Sequence, residues 1–461
     1  MSLTILQSPV RSQKVALVDL GYPYGKKIYM SGSVVAVTAQ LMSVGHKVNV
    51  VDFNIDNKND ARVKDLFSQA EVIGASVMGS PAIPGAASFA EEVAARYKRA
   101  RYVVGGQVIS RLAVEQCERV FKSLATPSRT VEDSTRLFGR MPSAYEIPYQ
   151  MVWELMGETR LREYLLHELT LVLSQGCRYD CDFCTADKDQ LEYFRNLTAF
   201  RDDLVYLLQR AKQFGLSSVE CYASSLDFFQ TPKKMFNYME AMAEAQARTE
   251  VKLKVRCLSC MNTFLAASRQ RKDFADLVRK SGLWCVGFGV DGPTVEVWEE
   301  QHKGQNRMKD IVPCYDLCQD IGLRAEVLTV MGFPNKPARR LGQTVKHLSW
   351  FVEQWPNTVV RPYVARVVMP GNKGWKNRTK VTQQLTAKPA RFYNLDICGL
   401  ANSTTHPRWW RRWLTNLAYL YIILRYAPTG RCATSPLLPQ GEPGVYGWIA
   451  KIVNRFMPHD R

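Results

Sequence analysis

Three cysteines fall within eight residues in Gly176-Cys177-Arg178-Tyr179-Asp180-Cys181-Asp182-Phe183-Cys184, a C-x3-C-x2-C spacing. Thiolates this close together are soft ligands. Three of them can wrap a cubane iron–sulfur cluster while one iron keeps no protein ligand and stays open to a small molecule. A structural zinc ion asks for four ligands and a closed shell. No fourth cysteine or histidine lies close by in sequence, the nearest being His167 and Cys221. The spacing favours an iron–sulfur site, with zinc or a chance grouping as the alternatives.

A triad of this kind needs a rigid element behind it, and the run 169–174 (LTLVLS) directly precedes it. Further strand patterns follow at 218–222, 252–256, 284–290, 324–331 and 358–364, with helical patterns such as 202–214 and 234–247 between them. This spacing predicts a parallel α/β barrel, partial or full, with the cysteines at the carboxyl end of its first strand. Ahead of it, β-branched runs at 15–20, 47–52, 72–76 and 102–104 alternate with helical patterns at 33–44, 60–69 and 83–97. That alternation predicts an N-terminal doubly wound parallel sheet, whose ligand rim lies beyond the strand ends in the loops 21–32, 53–57, 77–81 and 105–109. The stretch 125–160 is irregular and rich in Pro, Ser and Thr, which predicts a linker. The expected division is therefore 1–124 for the doubly wound domain, 125–160 for the linker, 161–365 for the barrel and 366–461 for a small, mainly helical C-terminal region.

With 461 residues, 46% hydrophobic and 23% charged, the chain has the composition of a folded protein of several domains, not of a disordered or repetitive one. Its 12 cysteines are scattered, and the opening MSLTILQSPVRSQ lacks a secretory pattern. The expected setting is the reducing cytoplasm, where clustered cysteines bind metal. The longest apolar stretch, 414–426, is interrupted by Thr415, Asn416 and Arg425 and falls short of the roughly 20 residues of a spanning helix. The net charge of +18 is concentrated at the end: residues 361–461 hold 16 Lys or Arg and 3 Asp or Glu.

The triad, with aromatic Phe183 before its last cysteine, resembles the radical S-adenosylmethionine (SAM) superfamily. Matching motifs follow in order: Arg195 after an aromatic pair, the strand 219–222 followed by Ser224, Ser225 and Asp227, the Lys254-Val255-Arg256 strand, Gly287-Phe288-Gly289-Val290-Asp291-Gly292 with Lys303-Gly304 downstream, and Met331-Gly332-Phe333-Pro334. The resemblance implies that Cys177, Cys181 and Cys184 hold a [4Fe-4S] cluster whose fourth iron takes the amino and carboxylate groups of SAM. An electron from a flavodoxin- or ferredoxin-type donor then cleaves the sulfonium to a 5′-deoxyadenosyl radical. Phe183, Arg195, Ser224, Asp227, Arg256 and Asp291 are the implied SAM contacts, with Phe183 against the adenine, Arg pairing with carboxylate and Asp accepting from ribose hydroxyls. The alternative for each is a barrel-end residue satisfied by nearby backbone.

A doubly wound domain before such a barrel resembles the cobalamin-dependent subgroup, in which the corrin lies on the strand ends and faces the cluster. The match covers residue 15 to about residue 107, including Gly45-His46-x-Val-x-Val-Val-Asp52 and Gly105-Gly106-Gln107. Gly21, Tyr22, Ser76, Met78, Gly79, Ser80, Gly106 and Gln107 are the implied cobalamin contacts. Two departures stand out. The Asp-x-His-x-x-Gly loop that supplies a lower axial histidine is missing, since Phe53, Asn54 and Ile55 follow Asp52 and His46 precedes its strand; the usual Gly-Glu-Gly-Glu-like turn is not found between 114 and 140. Together the two cofactors imply a C-methyltransferase that moves a methyl group from methylcobalamin to an unactivated carbon of a small-molecule or lipid-like substrate. The alternatives are a non-methylating radical SAM cyclase or rearrangement enzyme, and a cobalamin-free iron–sulfur protein that modifies or binds RNA. Tyr222 and Cys257 stand on strands that could present them to substrate, although a core role is the plainer expectation.

The last hundred residues carry five of the ten tryptophans, Trp375, Trp409, Trp410, Trp413 and Trp448, and Pro407-Arg408-Trp409-Trp410-Arg411-Arg412-Trp413 leads into the apolar stretch. An apolar helix capping the barrel mouth accounts for this without a partner. Peripheral contact of 407–456 with the inner membrane face is the second reading, and nucleic acid is the third.

Overall fold

The computed structural model describes residues 11–21, 28–77, 83–106, 109, 131–181, 184, 192–292, 294–332, 338–364 and 408–433. Lys14–Asp19 (β1), Lys47–Asp52 (β2), Val72–Ser76 (β3) and Arg101–Gly105 (β4) form a parallel sheet in the order β2-β1-β3-β4. These strands are apolar along most of their length because the crossover helices Gly32–Ser43, Ala61–Gln69 and Ile83–Arg96 cover the sheet. Asp60 starts the second of these helices by accepting from Arg62 N. The order reverses at β1 and β3, so the loops after these two strands leave in opposite directions and open a crevice between them.

The second sheet begins with Leu169–Val172 (β5). A short antiparallel hairpin of Ser174–Gln175 (β6) and Tyr193–Phe194 (β7) interrupts it. It resumes with Ser218–Ser224 (β8), Lys252–Ser259 (β9), Leu283–Gly289 (β10), Arg324–Met331 (β11) and Thr358–Val364 (β12), all parallel and in the order β12-β11-β10-β9-β8-β5. Among the described residues β12 does not pair with β5, so the barrel is partial. In β8, Val219, Cys221 and Ala223 are buried in the core, while Ser218, Glu220, Tyr222 and Ser224 alternate with them and are only half-buried. Cys257 is likewise fully buried, as a core role requires.

The region expected to be an irregular linker holds the helices Val131–Phe138, Gln150–Met156 and Glu158–Leu166. Their apolar side chains are what the two sheets share. Trp153 stacks on Tyr206 with rings 5.9 Å apart and donates its indole N–H to Met30 Sδ at 3.1 Å. Arg160 donates to Val50 O at 2.6 Å and to both oxygens of Asp56 at 2.8 and 2.7 Å; Tyr164 donates to Asp52 Oδ2 at 2.7 Å. One continuous core runs from Val15 and Leu41 through Trp153 to Leu169 and Val255.

Of the basic tail, 366–407 and 434–461 lie outside the described residues, and with them Trp375, Trp448 and the second helical pattern. The helix Trp409–Tyr426 packs Tyr419, Ile422, Ile423 and Tyr426 inward against β12 and the helix Ala338–Gln354, and Arg425 pairs with Glu353 at 3.1 Å. Its other face exposes Trp409, Trp413, Leu417 and Leu424. Residues 431–433 lie along β12, with Val360 N on Arg431 O at 3.0 Å and Ala433 N on Val360 O at 2.9 Å, which covers that sheet edge. No described helix is long and apolar enough to cross a membrane.

Candidate functional site at the strand ends

The β6–β7 hairpin closes the loop that carries the cysteines. Ser174 Oγ bonds Glu192 Oε1 at 2.9 Å, and Gln230 Nε2 and Thr231 Oγ1 donate to Glu192 Oε2 at 3.0 and 2.6 Å. From the barrel side, Gln230 Oε1 accepts from Arg178 N at 2.9 Å and Asn262 Nδ2 donates to Tyr179 Oη at 3.0 Å. Cys184 N donates to Cys181 O at 3.1 Å, which turns the chain within the triad. Cys181 is buried, and Cys177 and Cys184 are half-buried.

Cys177 feels both other thiols. Burial pushes the Cys177 thiol up to about 11; an N–H from Tyr179 works against this, and the charges of Asp227, Cys184 and Cys181 add to it. A thiol held up in this way keeps its proton until a cationic core takes over as its counter-charge. Among the described residues no group of three His, Cys, Asp or Glu side chains is placed to hold a metal ion. The fit to an iron–sulfur core rests on the donor chemistry, three soft thiol sulfurs in one loop. Lys303, buried beside Cys181 and Cys260, adds positive charge: burial opposes that charge, but Asp291 and then Cys181 raise its pKa above the ordinary value. The site thus fits an anionic thiolate cluster.

Asp227 follows β8 and is almost wholly buried. Its Oδ1 accepts from Ser259 Oγ at 2.7 Å, Thr263 Oγ1 at 2.8 Å and Cys260 N at 3.1 Å, while its Oδ2 is buried without a partner. An orphaned buried acceptor of this kind is complementary to a ligand hydroxyl or amine. Asp291 follows β10 and pairs with Lys303, whose Nζ also reaches Gly289 O at 2.9 Å. Ser224 ends β8, with its carbonyl accepting from Leu173 N at 3.3 Å. Arg256 lies deeper, donating from Nε and Nη2 to Glu326 Oε2 at 3.0 and 2.5 Å; Arg361 bonds the same carboxylate from β12.

Arg195 is placed differently from the other nominees. It is buried, its guanidinium is taken by Asp203 and lies 3.7 Å over the Tyr149 ring, and it braces the hairpin against the helix Leu197–Gln213. Phe183 lies outside the described residues. Sequence reasoning missed Cys260, Lys303 as a partner of the thiols, and Gln305, whose Nε2 donates to Cys181 Sγ at 3.2 Å. For Lys303 the signal was the Lys-Gly pair already noted. For Cys260 and Gln305 there was none.

On the N-terminal sheet, Gly21 follows β1 and Ser76 ends β3, so they flank the crevice at the strand-order reversal. Ser76 Oγ lies 3.4 Å from Ser33 Oγ, itself 3.1 Å from Ser31 Oγ. Gly106 has φ +129°, and a Cβ there would stand 2.2 Å from Val77 O, so only glycine fits this strand end. Tyr22, Met78, Gly79, Ser80 and Gln107 lie outside the described residues. Asp19 and Asp52 are buried beneath the rim. Burial and then the charge of Asp52 push Asp19 up to about 6. His46 is occupied at the opposite end of the strands, accepting from Gln13 N at Nδ1 and facing Phe138 O with Nε2, each at 3.1 Å.

The first loop of the N-terminal sheet packs along β5. Met30 N donates to Glu168 O at 3.0 Å, and a Cβ on Gly32 would meet Thr170 and Val172 of β5 at 2.9 Å. The first loop of the N-terminal sheet therefore rests on the strand that delivers the cysteines.

This arrangement is the fold of solved cobalamin-dependent radical SAM enzymes. In particular, the chain is similar to the radical SAM methyltransferase TsrM from Kitasatospora setae solved with cobalamin and a [4Fe-4S] cluster, at 15% identity and TM-score 0.57 over 77% of this chain and 76% of that one. The structure of that enzyme with tryptophan substrate and a SAM analogue matches at 16% identity and TM-score 0.58, over 78% and 75% of the two chains. The cobalamin-dependent SAM radical enzyme OxsB with aqua-cobalamin matches at 15% identity and TM-score 0.56, over 83% of this chain and 56% of that one. No family model and no curated protein matches the sequence.

Proposed function

We propose that the chain is a cobalamin-dependent radical SAM enzyme acting as a C-methyltransferase on a small molecule. The observation that carries this reading is that the first loop of the N-terminal sheet packs along β5, the strand that the triad follows. When bound, the cluster and SAM supply a carbon-centred radical, and the corrin supplies the methyl group.

The protein's own work is placement. Cys177, Cys181 and Cys184 hold the cluster. Asp227, oriented through Oδ1 by three donors, offers Oδ2 to the ribose. Ser224, Asp291 and Phe183 would complete the SAM contacts, and Arg256, steadied by Glu326, would pair with the SAM carboxylate. Arg195 acts through the hairpin as a positioning residue. Gly21, Tyr22, Ser76, Met78, Gly79, Ser80, Gly106 and Gln107 would hold the corrin, which would supply the methyl group. A substrate carbon would be held between the two cofactors, where exclusion of water and fixed orientation contribute most. No general base is required. The domain boundaries belong at 124 and 365, and the one expected at 160 moves to the end of the helix Glu158–Leu166, which it would otherwise cut.

Anaerobic reconstitution with iron, sulfide and hydroxocobalamin, followed by counting iron and cobalt per chain, tests the cofactors. Replacing the three cysteines by alanine should abolish iron loading while far-ultraviolet dichroism stays unchanged. Transfer of label from methyl-labelled SAM to cobalt, and from there to a carbon of the product, distinguishes methylation from cyclisation or rearrangement. A chain that loads iron but no cobalt overturns the reading.

A further inference from the structure

Between the helix Val295–Glu300 and the helix Met308–Asp320, the turn 302–306 bends back over the cysteine loop. It is pinned at both ends to one carbonyl: Lys303 Nζ and Asn306 Nδ2 each donate to Gly289 O at 2.9 Å, and Asn306 N closes the turn on Lys303 O at 3.0 Å. This leaves Gln305, only 5% exposed, with its amide against Cys181, where Nε2 meets Sγ at 3.2 Å. The Nε2 end of the amide meets the sulfur, while Oε1 is buried without a partner of its own.

We infer that Gln305 is a positioning residue that sets the reduction potential of the cluster through its N–H···S bond to Cys181. This rests on the proposed iron–sulfur reading of the triad. A donor to a ligand sulfur stabilises the more negative, reduced core, so the bond raises the potential. Lys303, beside the same sulfur, adds to the effect, but it also carries Asp291 and cannot be changed cleanly. Gln305 can be, since methionine matches it in length and removes only the hydrogen bond.

The test is a redox titration of the reconstituted full chain, followed by electron paramagnetic resonance and with iron counted per chain. In Gln305→Met the ratio of reduced to oxidised cluster at a fixed potential should fall about tenfold, a downward midpoint shift of about 59 mV for one electron. Gln305→Glu, which sets a carboxylate by the sulfur, should fall at least as far. In deuterated buffer the wild-type reduced cluster should show an exchangeable deuteron coupling that Gln305→Met lacks. Full iron with a wild-type midpoint in Gln305→Met overturns the inference, and so does absence of the coupling in the wild type should the variants fail to load iron. A wild-type chain that binds no iron overturns the iron–sulfur reading itself.

Discussion

Replacing Glu326 by glutamine tests the interior of the barrel. Glu326 is 2% exposed and lies between Arg256 and Arg361, accepting at 3.0 and 2.5 Å from the first and at 3.1 and 3.3 Å from the second. Burial by itself would raise its carboxyl, but the charges of Arg361 and Arg256 outweigh that and hold it at about 2, against an ordinary 4.5. At about 1.4 kcal/mol per factor of ten in proton affinity, this gap is worth about 3 kcal/mol. Breaking a buried ion pair costs a similar amount, on the order of 3–5 kcal/mol. The folded value lies below the unfolded one, so the contribution is fully present above pH 4.5 and fades as the pH falls towards 2. Glu326→Gln should therefore be less stable than wild type by about 3 kcal/mol at pH 7. At pH 3 the difference should be markedly smaller. Urea unfolding at the two pH values measures this without the screening that a salt denaturant would add. A difference below about 1 kcal/mol at pH 7, or one that is the same at both pH values, refutes the reasoning.

Gly106→Ala should destabilise the N-terminal unit by on the order of 2 kcal/mol, because the new methyl group meets Val77 O and the φ is hostile to alanine. Cobalt per chain should fall with it while iron per chain holds, and equal loss of both metals would count against a corrin rim there. Asp19→Asn should act in the opposite direction. The folded value of about 6 lies above the ordinary 3.8, so the cost of ionising the side chain builds up as the pH rises from 3.8 and is complete above 6. The variant should gain on the order of 2–3 kcal/mol at pH 7 and nothing at pH 4. Urea midpoints at both pH values decide it, and a less stable variant at pH 7 would sink the argument.

Legibility in the sequence followed locality. The strands 47–52, 72–76, 324–331 and 358–364 coincide with the structure because apolar runs bounded by turns have few other ways to be buried. Elsewhere the ends moved: 218–222 extends to Ser224 and 252–256 to Ser259, since ladder pairing with neighbours carries a strand beyond its apolar stretch. The helices within 131–166 escaped notice because they are held by distant partners, Trp153 by Tyr206, Tyr149 by Asp203 and Arg160 by Val50, and no local pattern encodes that. Arg195 was legible as a motif position but not as the partner of Asp203.

The amino-acid sequence by itself determined the order of the two α/β units and the three thiols after the first barrel strand, because period and spacing are properties of neighbours along the chain. Only the tertiary structure decided which charges meet. Arg256 finds Glu326 across 70 positions, and Gln305 finds Cys181 across 124. A buried polar group takes whichever partner the packing brings within about 3 Å, and that choice is made in space, after the strands have been set side by side.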